Sequence, residues 1–225
     1  MKSNFFLGIT GQQRTGKDTF ADIITTLWGP IIHREMMAQP IKKIAKDIFG
    51  VSDEDLLNNK NTGLVKLTSC GNLYIRKLLQ DIGTGFRKIY ENIFIDLLIK
   101  RLEEQNIQNK IVLITDIRHT NEAFFIKGLQ GKLLRLNRKD PEAQVGMEHE
   151  SETSVGKLPA SKDIHNNGTI DVLFSAALDL FKDIPQRLFV EMPGYSLVTY
   201  SDLATLHNLD VPESYKNVNI YVKTM

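Results

Sequence analysis

Gly11-Gln12-Gln13-Arg14-Thr15-Gly16-Lys17-Asp18-Thr19-Phe20-Ala21 is the stretch on which the reading of this chain turns. It follows the apolar run Phe5-Phe6-Leu7-Gly8-Ile9-Thr10 and precedes an amphipathic segment, so the order is strand, glycine-rich loop, helix. The Gly-x4-Gly-Lys spacing suits a phosphate cradle for a mechanical reason. Glycines reach backbone torsions closed to other residues, so successive N–H groups can turn toward one anion. The helix that follows adds the partial positive charge of its N-terminus, and Lys17 adds a full charge for β- and γ-phosphates. Asp18 stands where Ser or Thr usually meets magnesium, with Thr19 one position later. A carboxylate there can hold the ion, directly or through water, with altered geometry. The competing reading is an ordinary strand–turn–helix with a solvent-facing lysine.

Composition bounds what surrounds this loop. The 225 residues suffice for one large domain, or one domain with an appendage. At 42% hydrophobic and 24% charged, the chain can build a proper core. A net charge of +1 without a long single-sign run argues against a nucleic-acid groove or an acidic-membrane surface. The lone Cys70 excludes an internal disulfide and suits a reducing cytosol. No apolar run approaches the ~20 residues of a membrane span, and the N-terminal residues lack a signal-peptide pattern. A cytoplasmic, globular protein with no membrane partner is therefore expected.

Outward from the loop, helices alternate with strands. The first helix is predicted from about Asp18 to Trp28, with Phe20, Ile23, Ile24 and Leu27 on one face and Gly29-Pro30 as its stop. Ile31-Ile32-His33 reads as a short strand. Pro40 opens a helix with Ile41, Ile44, Ala45 and Ile48 inward, ending at Gly50. Ser52 and Asp55 form a capping box for another. Residues 53–70 are polar and carry no clear pattern. Helical periodicity returns at Leu73–Ile82 and at about Glu91–Glu104. The run from Lys110 to Asp116 predicts a strand buried on both faces, as in a parallel sheet. Thr120 or Asn121 caps a helix to about Leu129, and Lys132–Leu136 is the next strand. Asp163–His165 reads as the last strand. Asp171–Phe181 is amphipathic, with Val172, Leu173, Ala176, Leu180 and Phe181 on one side. This alternation implies an α/β fold, a doubly wound parallel sheet with helices on both faces. Residues 185–225 read as an appendage that packs on the core or makes a homodimer contact.

Three places outside the loop carry chemistry. Asp116 ends a buried strand at the carboxyl edge, where open α/β sheets bind ligands and an acid becomes a second magnesium partner. Arg118, His119, Asn121 and Glu122 follow, and an arginine there can grip a phosphate with two parallel hydrogen bonds. Alternatively, Asp116 and Arg118 pair with each other or cap the helix. Gln80-Asp81-Ile82-Gly83-Thr84-Gly85-Phe86-Arg87 places an amide, two glycines and an arginine after an amphipathic helix. That suits a pocket for a base edge and a phosphate, or else a helix C-cap with a surface arginine. Residues 138–163 are long, polar and basic, with Arg138, Lys139, Lys157 and Lys162 beside His149, Glu150 and Glu152. Such a segment is a lid or a surface loop. His149 lacks a Cys/His cluster that would make it a metal ligand, and no chemistry is assigned to Cys70.

Several blocks together resemble the deoxynucleoside monophosphate kinases of bacteriophages: Gly11…Gly16-Lys17-Asp18-Thr19, Ala38-x-Pro40-Ile41-Lys42, and Leu79-Gln80-x-x-Gly83-Thr84-x-x-Arg87. Thr115-Asp116-Ile117-Arg118-x-x-Asn121-Glu122-Ala123 and His149-x-Ser151-Glu152 complete the set, in family order across roughly residues 5–182. The resemblance implies a P-loop kinase domain over residues 1–184, with a helical acceptor-binding insertion at about 38–105 and a lid at about 138–163. It implies transfer of the ATP γ-phosphoryl to a deoxynucleoside 5′-monophosphate, with Mg2+ and small nucleotides as partners. By matching motif, Gly11, Arg14, Thr15, Gly16, Lys17, Asp18 and Thr19 would hold ATP, with Lys17 on the transferred group, and Asn166 would touch adenine. Gln80, Arg87, Arg118 and Glu122 would serve the acceptor, Arg87 and Arg118 on its phosphate, with Asp116 and Glu122 organising magnesium or those arginines. Asp18 and Asp116 would hold the metal, with Arg138 acting from the lid. Gly85 replaces the family's usual glutamate, and Asn92-Ile93-Phe94-Ile95 replaces its aromatic-rich segment, so the acceptor base stays open. Residues beyond Pro185 are not covered. A phosphomevalonate-kinase-like enzyme and a non-kinase P-loop ATPase or switch are the alternatives.

Overall fold

A computed structural model describes residues 3–58, 63–67, 71–139, 154–185, 188, 195–199 and 219–223. The strands are β1 (Phe5–Thr10), β2 (Ile32–Glu35), β3 (Leu64–Leu67), β4 (Gly71–Tyr74), β5 (Ile111–Ile114), β6 (Lys132–Asn137), β7 (Lys162–His165), β8 (Tyr195–Thr199) and β9 (Asn219–Lys223). The helices are α1 (Lys17–Trp28), α2 (Gln39–Phe49), α3 (Asp53–Leu57), α4 (Ile75–Ile89), α5 (Ile93–Glu104), α6 (Thr120–Gly128) and α7 (Ile170–Leu180). The chain divides into two compact units, Met1–Glu35 with Asn106–Met225, and Met36–Gln105.

In the first unit, five strands pair in parallel in the order β2-β5-β1-β6-β7. Side-chain alternation along β1 explains its two covered faces. Phe5, Leu7 and Ile9 join one apolar cluster with Phe20, Ile24 and Trp28 of α1 and Leu173, Ala177 and Leu178 of α7. Phe6 faces the other way and meets the edge of Phe125 on α6, with ring centroids 5.9 Å apart. Gly8 shares that face. A Cβ there would stand 3.0 Å from Leu133 Cδ1 and 3.1 Å from Ile117 Cγ1, so the missing side chain lets the chain after β5 lie close. The sheet is therefore doubly wound. Leu7 pairs with Leu113 on one side and Lys132 on the other, so the strand order reverses at β1. The carboxyl ends of β1, β5 and β6 surround that switch point, where ligands of open α/β sheets bind. β8 and β9 form a separate antiparallel pair, and β9 lies against α1 and the Gly29–Ile31 turn.

The second unit is helical with one two-stranded ribbon, β3 against β4. Ile41 and Ala45 of α2, Ile75, Leu78 and Leu79 of α4, and Phe94 of α5 make its core with Val51 and Val65. The Ser52–Asp55 capping box forms as expected. Several sequence expectations are corrected. Ile48 is 71% exposed, not inward. The reason lies one turn on, where Gly50 takes a left-handed φ of +68° and the Val51 N–H returns to the Ala45 carbonyl at 3.2 Å. That closure puts Val51 in the inward place Ile48 was expected to fill. Leu73 belongs to β4 rather than to a helix. Gly83 and Gly85 lie inside α4, which runs on to Ile89. At Gly83 close packing accompanies glycine's helix penalty of about 1 kcal/mol, since a Cβ there would approach Ile41 Cδ1 to 3.1 Å, whereas a Cβ at Gly85 would meet open space among the described residues.

Corrections in the first unit are smaller. His119, not Thr120 or Asn121, is the N-cap of α6. Val172 is exposed in the first turn of α7, ahead of the buried face. The downstream part of the expected lid is packed structure: Val155 and Leu158 are buried, and Lys162 and Asp163 already pair with β6. Residues 140–153, with His149, Glu150 and Glu152, lie outside the described residues, as do Cys70 and most of 185–225. Among the described residues, no helix is long and apolar enough to cross a membrane.

Candidate active site

The loop between β1 and α1 is shaped by its backbone. Gly11 has φ +143°, and a Cβ there would fall 2.4 Å from the Leu136 carbonyl oxygen at the end of β6. Only glycine fits so close to a neighbouring strand. Arg14 is held at φ +63°, a left-handed conformation uncommon outside glycine. The buried Thr15 hydroxyl donates to the Gln12 carbonyl at 2.9 Å, drawing the loop into a ring. Gly16 caps α1 with φ +91°, and its carbonyl accepts the Phe20 N–H at 2.9 Å. Lys17 Nζ bends back to donate to the Gly11 and Gln12 carbonyls at 2.8 and 2.5 Å. The ammonium thus lies over the loop, where an anion held by its N–H groups would meet it. Asn166, just past β7, donates its amide to the Thr15 carbonyl at 3.0 Å and is buried.

Asp116 follows β5 at the neighbouring strand end. Ile117 ties the segment down, donating its N–H to the Ile9 carbonyl of β1 at 3.1 Å. The backbone N–H groups of Arg118 and His119 both donate to Glu122 Oε2, at 2.9 and 3.1 Å. Ser154 Oγ donates to the Arg118 carbonyl at 3.0 Å. Glu122 is 1% exposed, beneath the turn that carries Arg118. Its carboxylate is spent on that turn. Arg138 is exposed, immediately after β6.

Asp18 is an exposed side chain 3.6 Å from Arg34 Nη2, and Arg34 also pairs with Asp22. Asp18 and the half-buried Asp116 each carry the hard oxygen donors that magnesium takes while keeping water and phosphate as further ligands. Among the described residues, no group of three or more His, Cys, Asp or Glu side chains gathers as an all-protein metal cage.

Gln80 and Arg87 belong to the second unit, both on α4 and two helical turns apart. The Arg87 guanidinium lies 4.5 Å above the ring of the buried Phe94 and reaches toward the Gly83 carbonyl at 3.4 Å. A Cβ at Gly83 would stand 3.2 Å from Arg87 Nη1, so this glycine makes room for the arginine within a helix. The sequence reading missed that role because it took the glycines for a loop. It also missed Glu35, a buried carboxylate opposite Ile114 at the carboxyl end of β2, 3.2 Å from His33 Nε2. Extending the Ile31–His33 strand by two residues would have brought it to the sheet edge.

Comparison with known proteins adds a relative. A protein of Acanthamoeba polyphaga mimivirus, provisionally named a deoxynucleotide monophosphate kinase, is 29% identical over 199 residues, covering 80% of this chain and 97% of the relative. The chain thus resembles a deoxynucleotide monophosphate kinase along most of its length. No protein-family model matches. Among solved structures, dephospho-CoA kinase from Campylobacter jejuni aligns with a TM-score of 0.42 and 13% identity, over 82% of this chain and 99% of its own. Shikimate kinase from Aquifex aeolicus gives 0.38 and 12%, over 80% and 98%. The fold itself is read from the strand order and the loop described above.

Proposed function

We propose that this chain transfers the γ-phosphoryl of ATP to a deoxynucleoside 5′-monophosphate, giving the diphosphate. The observation that carries the reading is the glycine loop and Lys17 at a parallel-sheet switch point, with Asp116 and Arg118 on the next strand end. The mimivirus relative supports the choice of acceptor class.

Phosphoryl transfer asks the protein for position and compensating charge, and it needs no covalent intermediate. On this reading the N–H groups from Gly11 to Thr19 hold the ATP phosphates. Lys17 leaves the loop carbonyls for the β- and γ-phosphates. Arg118, its backbone held by Glu122 and Ser154, grips the acceptor phosphate. Arg87 has the same task from α4, with Gln80 on the same helix toward the base. Arg138 neutralises charge on the migrating group. Asp18 and Asp116 would hold magnesium, which neutralises phosphate charge when bound. The expected partners are small nucleotides, in the cytoplasm of the cell where the protein is made.

The test is a coupled ADP-release assay with ATP, magnesium and a panel of acceptors: the four standard deoxynucleoside monophosphates, 5-hydroxymethyl-dCMP, their ribo forms and mevalonate phosphate. Turnover on a deoxynucleotide is expected and names the base. Turnover on mevalonate phosphate alone, or ATP binding without transfer to any acceptor, would refute the reading.

A further inference from the structure

Asn166 stands where β7 ends, and it makes two bonds in different directions. Its backbone N–H donates to the Asn137 carbonyl at 2.7 Å, and its side-chain amide donates to the Thr15 carbonyl at 3.0 Å. Its neighbour Asn167 accepts the Lys139 N–H on Oδ1 at 2.8 Å. The two asparagines therefore hold residues 137–139, among which Arg138 lies, while one of them also holds the glycine loop.

The direction of the Thr15 bond matters. In a trans peptide the carbonyl and the following N–H point to opposite sides of the chain. A donor fixed on the Thr15 carbonyl therefore fixes where the Gly16 N–H points. The loop's own sequence leaves that plane loose, because glycine turns through such torsions at little steric cost. Gly16 also admits the brace: a Cβ there would lie 2.6 Å from Asn166 Nδ2.

We propose that Asn166 is a positioning residue for the phosphate loop. It sets the Thr15–Gly16 peptide so that the Gly16 N–H faces the nucleotide phosphates, and with Asn167 it ties that loop to the segment bearing Arg138. The proposal rests on the nucleotide reading above. It differs from the adenine contact that the sequence resemblance implies, because it acts on phosphate through the backbone.

Inorganic tripolyphosphate separates the two roles, since it has phosphates and no base. Binding of ATP and of tripolyphosphate, each with magnesium, is measured by calorimetry on the wild-type chain and on Asn166→Ala. A brace predicts that both affinities fall together, by about tenfold, the worth of one buried hydrogen bond. A loss confined to ATP would assign Asn166 to adenine and overturn the proposal, and so would unchanged binding of both. If the wild-type chain bound neither, the nucleotide reading would fall and the brace with it. Asn166→Asp keeps the side chain's size should the alanine variant misfold. With an ordinary aspartate pKa of about 3.9 the variant is ionised at about pH 7 and cannot donate, so it should lose tripolyphosphate as well as ATP. Wild-type affinity for tripolyphosphate in this variant overturns the proposal.

Discussion

In the unit formed by Met1–Glu35 and Asn106–Met225, β1 is enclosed on both faces and bonded at Ile9 by the Ile117 N–H, and its loop is held at main-chain groups: the Leu136 carbonyl lies against Gly11, and the Asn166 side-chain amide donates to the Thr15 carbonyl. In Met36–Gln105 the core is smaller. Ile48, Leu57, Leu64, Tyr74, Phe86, Ile89 and Tyr90 are all exposed there. The arginine of that unit is placed by a ring and a gap in a helix rather than by a ladder of main-chain bonds. A site held by backbone tolerates few substitutions. A site held by side chains can be retuned by changing one of them, which suits the acceptor-binding part proposed for Arg87.

The sharpest test of this contrast is Lys17→Ala. It should leave the fold intact by circular dichroism and lower kcat by about a thousandfold or more, as removal of a preorganised charge at a transferring phosphoryl does. Undiminished turnover would take the loop out of the mechanism. Next comes Gly11→Ala, which forces a side chain against the Leu136 carbonyl in a left-handed backbone. Thermal or urea unfolding should show a loss of about 2–4 kcal/mol. A neutral result would mean that the loop is less rigidly seated than the sheet geometry indicates. Phe94→Leu keeps an apolar side chain in the second unit and removes the ring under Arg87. It should raise the acceptor KM about fivefold, the worth of one partly desolvated cation–π contact, and leave the ATP KM alone. An effect on ATP instead would place Arg87 in the wrong half of the reaction. The smallest expected effect belongs to Ile48→Ser, within about 0.5 kcal/mol of wild-type stability. A loss several times larger would show that Ile48 is covered after all.

These contrasts explain what the sequence made legible. β1, its loop, α1 and the buried run of β5 are dictated locally, by apolar continuity, glycine spacing and a helix start, so they were readable without a fold. Gly83 misleads because a helix tolerates glycine where α2 packs against the gap, and that packing is a tertiary fact; among the described residues no contact accounts for Gly85. Ile48 misled because the turn at Gly50 recruits Val51 into the place that helical periodicity alone gives to Ile48. Glu122 and Asn166 were visible as polar residues near a ligand edge. Only coordinates show that their polar atoms are already engaged by the chain itself.

The insertion of one unit within the other has a consequence for how the molecule is assembled. β1 is the central strand, yet its partner β5 arrives about a hundred positions later, as in folds dominated by distant pairings. During synthesis the first strand must wait, unpaired and strongly apolar, until the whole of Met36–Gln105 has left the ribosome. Closing so long a loop costs chain entropy that the insertion reduces only by becoming compact first. A Met36–Gln105 segment that collapsed early would shorten that loop, and a change that slowed its collapse would prolong the exposure of Phe5–Thr10 to aggregation.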